Sequence, residues 1–159
     1  MSFDPDRTQV FSRTIQLPAR HAPTSIESLS RNPQQSRASL ASPGLLSAFN
    51  RPIAPVSYVP KVLSAWFILS LQVTRSEQAV LTTVHVLATR PDGTSILTTD
   101  VKQIDLERQW VRTKNTLYHL PLDRQGQGEP SAVQLKAAWK NLVRWGYAEA
   151  FGIPSVIDT

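Results

Sequence analysis

Proline is concentrated at the start of this sequence, and this limits what the first third of the chain can form. Eight of the twelve prolines lie within residues 1–60, together with ten serines, no lysine and only three acidic residues. Each proline removes a backbone donor and disfavours helix at the preceding residue, so no long regular element fits between them. Short helical turns still fit: residues 24–27 have a capping-box pattern, and Pro43 suits the first position of a helix capped by Ser42. We therefore predict a long Pro/Ser-rich N-terminal arm over residues 1–60.

The sequence leaves the state of this arm open. Its composition is typical of a disordered, solvated tail. It also carries apolar side chains that a solvating tail does not need, which favours an arm that becomes ordered on a partner. These side chains are Phe3, Val10, Phe11, Ile15, Leu17, Leu45, Leu46 and Phe49. A targeting leader is a third interpretation, and Asp4 and Asp6 argue against it.

From residue 61 onward, β-branched and aromatic runs alternate with turn residues, which predicts strands. The clearest local signal is Pro91-Asp92-Gly93, which closes a hairpin because proline presets the first turn residue and glycine accepts a positive φ. The five predicted strands cover residues 66–73, 79–90, 95–104, 110–113 and 116–120. Because the links between them are short, we expect an antiparallel five-stranded β-meander.

One helix follows the predicted strands. Residues 131–134 (SAVQ) form a capping box, and Gly146 suits a C-terminal cap after a helix that ends near Trp145. Its apolar stripe, spaced by three and four residues, must lie on the sheet. The stripe consists of Leu135, Ala138, Trp139, Leu142 and Trp145. The predicted fold class is therefore α+β, with a compact domain at residues 61–150 and a short tail at 151–159.

The fourth predicted strand carries the most informative side chains. Side chains alternate across a strand, and a two-residue turn at 114–115 places Trp110 opposite His119 and Val111 opposite Tyr118. The apolar side of this hairpin, which we assign to the helix, consists of Val111, Tyr118 and Leu120. The other side, which we expect to be open, consists of Arg108, Trp110, Arg112, Lys114, Leu117 and His119.

Cations beside an indole can hold a sugar-phosphate backbone while a base stacks on the ring. The helix adds a second basic row at steps of four residues, formed by Lys136, Lys140 and Arg144. A formal net charge of +5 favours anionic partners in general. The same residues also suit a protein-binding surface or a plain solvated face, since charged side chains blunt exposed strands.

Catalytic and metal-binding patterns are weak in this sequence. There is no cysteine, no G-x-S-x-G and no phosphate-binding glycine loop, and Gly126-Gln127-Gly128 reads as a flexible loop. A zinc site would need His85 and His119 to approach each other beside Asp105 or Glu107, and nothing in the spacing enforces this. The most apolar window, residues 62–73, is too short to span a bilayer.

We therefore expect a soluble, cytoplasmic protein that is not an enzyme and that has no cofactor, metal or small-molecule substrate. Its expected function is that of a non-catalytic interaction or assembly module. The N-terminal arm and the basic-aromatic face would contact a protein partner or a neighbouring subunit. The alternative is a single-stranded nucleic-acid-binding protein that uses the same face.

Overall fold

The computed structural model describes residues 21–76 and 79–155. Its strands are β1 (Ser36–Leu40), β2 (Lys61–Val62), β3 (Ser64–Thr74), β4 (Val80–Thr89), β5 (Ser95–Leu97), β6 (Val101–Asp105), β7 (Trp110–Thr113) and β8 (Leu117–His119). Its α-helices are α1 (Pro43–Phe49), α2 (Ala132–Arg144) and α3 (Ala148–Phe151), with 3-10 turns at Glu27–Leu29 and Leu122–Arg124. The α+β class is confirmed.

The strands form two four-stranded sheets, so the predicted single five-stranded meander is wrong. The first sheet has the order β1-β3-β4-β5 and is antiparallel throughout. The second has the order β2-β8-β7-β6, in which β2 and β8 are parallel. The predicted strand at residues 95–104 divides between the sheets, because the chain leaves β5 after Leu97 and enters β6 at Val101. The bend between them carries the chain from one layer to the other.

The first sheet is buried on both faces. Leu69, Leu71 and Leu87 pack with α2 on one face, while Val84 and Val86 pack against the second sheet on the other. A strand that is covered on both sides has no polar face to alternate with its apolar one. This arrangement explains why β3 reads as an almost continuous apolar run.

The described part of the predicted arm belongs to this core. Strand β1 pairs with β3 over five residues, and Leu29 is fully buried beneath α2. The indole Nε1 of Trp139 donates to the carbonyl oxygen of Leu29 at 3.0 Å. The core packing therefore extends across the predicted boundary at residue 60. The described residues form three α-helices where a single one was expected. Residues 1–20, which hold the rest of the predicted arm, lie outside the described residues.

Side-chain hydrogen bonds fix α2 on the first sheet. The predicted capping box is confirmed: Ser131 Oγ accepts from the Gln134 backbone N–H, and Gln134 Oε1 accepts from that of Ser131. The Gln134 amide then donates to the carbonyl oxygen of Ala65 and to the Thr89 hydroxyl, at 2.9 and 3.2 Å. Because Gln134 is buried, these bonds set where α2 begins relative to β3 and β4.

Candidate basic groove

A groove of about 790 Å³ runs along the free side of β5. One wall is α2, which lines the groove from Val133 to Trp145. The opposite wall is the end of the β7–β8 hairpin, represented by Thr113, Asn115 and Thr116. The groove exists because β5 is the last strand of its sheet and the helix and the second sheet cover opposite faces of that sheet.

Four cationic side chains line the groove: Arg90, Lys136, Lys140 and Arg144. No aspartate or glutamate is among the lining residues in the described part of the chain. Within residues 21–76 and 79–155, none of the four has a carboxylate within 4.0 Å. Arg90 donates to the Thr94 hydroxyl at 3.1 Å, which holds Arg90 at the end of the groove beside the β4–β5 turn. The Thr94 hydroxyl in turn donates to Asp92, and the charge of Arg90 contributes to lowering the pKa of that carboxyl. The excess of positive charge therefore lies mainly at Lys136, Lys140 and Arg144.

The floor of the groove is an unpaired strand edge. The Thr94 carbonyl oxygen accepts from the Arg90 N–H and the Thr98 N–H donates to the Val86 carbonyl oxygen, so Thr94, Thr98 and the intervening Ile96 turn backbone groups toward β4. In an antiparallel pair the intervening residues turn their backbone groups the other way. Ser95 and Leu97 therefore present their backbone groups to the groove, and Asn141 of α2 donates to the Leu97 carbonyl oxygen at 2.7 Å.

A buried histidine supports the far end of the groove. His85 lies between the Thr83 hydroxyl and the Thr98 carbonyl oxygen, each 2.8 Å from a ring nitrogen. Its ring stacks on Trp145 with 5.4 Å between centroids. Burial lowers the pKa of His85, against the opposing effects of the Thr98 hydrogen bond and the charge of Asp100. The neutral imidazole therefore holds Trp145 in the groove wall.

The structure separates the two predicted basic rows. Lys136, Lys140 and Arg144 line the groove, whereas the residues predicted for the open side of the hairpin do not. These are Arg108, Trp110, Arg112, Lys114, Leu117 and His119. Trp110, Arg112 and His119 lie on the outer side of the second sheet, since Val111 and Tyr118 point inward from the same strands. The predicted pairing of Trp110 with His119 and of Val111 with Tyr118 is confirmed.

The predicted hairpin faces are wrong in three respects, of which the first two concern buried residues. Val111, Tyr118 and Leu120 pack against the first sheet rather than against α2, because a whole layer lies between them and the helix. Leu117, expected on the open side, is 2% exposed. In the pairing of β7 with β8, Arg112 lies directly opposite Leu117. The parallel pairing of β2 with β8 brings the chain just before Lys61 alongside Leu117.

Arg108 and Lys114 lie in the turns at either end of β7 rather than within a strand. Arg108 nevertheless stays beside Trp110, with its guanidinium carbon 5.0 Å from the ring centroid. Its backbone N–H donates to the carboxylate of Asp105 at 3.2 Å. Asp105 also accepts from the Ile53 backbone N–H at 3.0 Å, and this bond is the main reason why its pKa is lowered although the side chain is buried.

The two histidines considered for a zinc site do not converge. His85 projects toward α2 from the first sheet, and His119 lies on the outer side of the second sheet. Both sheets therefore separate them. In the described ranges there is no group of three or more histidine, aspartate or glutamate side chains that could hold a metal ion.

Sequence reasoning missed the rest of the groove. Arg90 and Asn115 are turn residues that carry no signal of their own, and Asn141 lies between the apolar and basic stripes of α2. Residues 94–99 have hydroxyl side chains on either side of Ile96 and Leu97, and the short strand β5 within them lies at the edge of its sheet. Which surface faces that edge depends on contacts distant in sequence.

Comparisons of the chain with protein-family models, with curated proteins and with solved structures gave no match. None of the helices in the described residues has the length and apolar character needed to cross a membrane. The site must therefore be interpreted from its own geometry.

Proposed function

We propose that this protein is a non-catalytic interaction module and that the basic groove holds an acidic segment of a partner protein. The supporting observation is the set of four cations around one groove without a carboxylate among the lining residues. The like charges of Lys136, Lys140 and Arg144 on one helix face repel one another, so an anionic occupant relieves that repulsion as well as adding its own contacts.

The lining of the groove favours a peptide over a nucleic acid as the occupant. Proteins that bind single strands offer aromatic faces on which bases stack. Among the residues that the structure describes, only two aromatic side chains line this groove: Tyr118 is 8% exposed, and Trp145 already stacks on His85. The remaining lining is mainly hydroxyl, amide and cationic groups, which suit carboxylates and peptide backbone.

The N-terminal arm keeps its predicted role in assembly as a separate part of this proposal. Residues 1–20 would contact a partner or a neighbouring subunit, and the groove would contact an acidic segment. Deleting residues 1–20 tests the first contact without removing β1 or any groove residue.

A direct binding assay tests the groove. A fluorescent decapeptide of alternating Glu and Thr is titrated with the protein, and its Gln-Thr counterpart serves as the uncharged control. We expect the double variant Lys140→Gln with Arg144→Gln to lose about tenfold in affinity, because each partly exposed ion pair contributes up to about 1 kcal/mol.

The matched control is Lys61→Gln with Arg124→Gln, which removes the same two charge types from exposed positions outside the groove. This variant should keep the wild-type affinity. If both double variants weaken binding equally, the attraction is a general charge effect and the groove is not the site.

A second candidate is single-stranded nucleic acid on the outer side of the second sheet. The stacking of Arg108 on Trp110 favours it, since a guanidinium and an indole in contact form a base-stacking unit with a phosphate-binding group. Trp110→Ala with Arg112→Ala should then reduce retention on a single-stranded oligonucleotide, with a steep salt dependence in the wild type. Wild-type protein that shows no salt-dependent retention would exclude this candidate.

A further inference from the structure

The free edge of β5 and the cations of α2 lie on the same groove, and together they indicate how an acidic segment would bind. An extended peptide can add a strand to a sheet edge, with main-chain hydrogen bonds giving affinity and alternate side chains giving specificity. Here the edge belongs to an antiparallel sheet, which an antiparallel strand continues with the more favourable hydrogen-bond geometry.

Asn141 already makes one of the bonds that such a strand would make. Its side-chain amide donates to the outward carbonyl oxygen of Leu97, where the backbone N–H of a paired strand would otherwise donate. A buried carbonyl without a donor is costly, so a side chain in this position stabilises the unoccupied edge. A partner strand must displace it to pair along the full edge.

We propose that an acidic segment binds as an added antiparallel strand along β5, displacing the Asn141 amide from Leu97. This inference rests on the proposed function of the groove. The strand would carry acidic side chains at alternate positions, facing Lys136, Lys140 and Arg144.

The alternation follows from the register. Leu97 packs in the core cluster that includes α2, so Ser95 and Leu97 face the helix side of the sheet. Residues directly opposite them on an added strand would face the same side. The intervening side chains would face the hairpin wall at Thr113 and Thr116, which suits small polar residues.

The spacing of the charges is also compatible. The three cations of α2 recur every four residues, which is a rise of about 6 Å along a helix. Alternate residues of a strand are separated by about 6.6 Å. Successive carboxylates can therefore meet successive cations, since α2 lines the groove along its length.

Backbone methylation of the same Glu-Thr decapeptide tests the strand in wild-type protein. In an antiparallel pair, the amides of the residues opposite Ser95 and Leu97 point at β5, and those of the intervening residues point away. We expect N-methylation of two Glu residues to weaken binding at least tenfold, and N-methylation of two Thr residues to leave it nearly unchanged.

Equal affinities of the two methylated peptides, or a loss confined to the Thr-methylated one, would overturn the antiparallel strand. If such peptides still depended on Lys140 and Arg144, the proposed function would stand and this inference would fall. If the unmethylated peptide did not bind, or if only an oligothymidylate bound in the groove, both would fall.

Asn141→Ala gives an independent measurement, with Val143→Ala on an exposed position of α2 as the matched control. Because the alanine variant frees the Leu97 carbonyl oxygen, we expect it to bind the decapeptide several-fold more tightly, while Val143→Ala keeps the wild-type affinity. Unchanged or weaker binding by a folded Asn141→Ala variant would show that Asn141 does not compete with the strand.

Discussion

Leu29 offers the sharpest test of the packing, because it lies in the segment whose sequence resembles a tail. Its side chain is fully buried beneath α2, so Leu29→Ala removes three buried carbon groups from the core and leaves only Cβ. At about 0.8 kcal/mol for each buried carbon group, the transfer loss is about 2.4 kcal/mol. The cavity left behind brings the expected loss of unfolding free energy to about 3–4 kcal/mol.

Thermal denaturation followed by circular dichroism checks this value. A loss of about 3 kcal/mol corresponds to a fall in Tm of roughly 10 °C for a domain of this size. The control is Leu40→Ala, the same substitution at a position that is 54% exposed, which should shift Tm by no more than about 2 °C. If Leu29→Ala melted like Leu40→Ala, the segment before residue 60 would not belong to the core.

Three further predictions concern single contacts. Gly126→Ala should lower the unfolding free energy by about 1–3 kcal/mol, measured by urea denaturation, because a Cβ would lie 2.3 Å from the Phe67 ring; wild-type stability would refute this contact. For His85, the lowered pKa means that the unfolded chain binds the proton more readily. Unfolding free energy should therefore fall as pH drops below the ordinary value of 6.5, by up to about 1.4 kcal/mol per pH unit, and the fall should be smaller in His85→Gln; identical pH profiles would contradict it. Asp105→Asn should lower the unfolding free energy by about 1–3 kcal/mol near pH 7, where the carboxylate accepts from the Ile53 N–H. This difference from wild type should shrink as pH falls through the lowered pKa of Asp105. A difference that stayed constant with pH would mean that the shape of the side chain matters and its charge does not.

Local signals predicted local structure well. The capping box at Ser131 and Gln134, the turn at Pro91-Asp92-Gly93 and the pairing of Trp110 with His119 are all present. The Ser42 cap of α1 is present too. Each depends on residues close together in sequence, whose conformational preferences act before any tertiary contact forms.

The missed features depend on contacts between distant residues. Strand β1 is short and contains no β-branched residue, and it is a strand because it pairs with β3 about thirty residues later. The division of residues 95–104 follows from the two sheets facing each other, which no local pattern records. Gly126, expected in a flexible loop, is held by its N–H bond to the Trp66 carbonyl oxygen and lies against Phe67.

In the candidate site too, features set by neighbouring residues were predictable and features set by distant contacts were not. The basic row of α2 was readable from its four-residue spacing, whereas its position beside the β5 edge was not. The hairpin row was also readable, but the apolar side of the hairpin was wrongly assigned to the helix because the second sheet was not foreseen. The sequence therefore identified three of the four cationic groove residues, Lys136, Lys140 and Arg144, without locating the groove.

The most direct test of the account is amide hydrogen exchange measured by NMR with and without saturating Glu-Thr decapeptide. Strand addition along β5 predicts slower exchange of the Ser95 amide and a shift of the Asn141 side-chain amide resonances, with no change at Trp110 or Arg112. Protection on the outer side of the second sheet, or no protection along β5, would contradict the account.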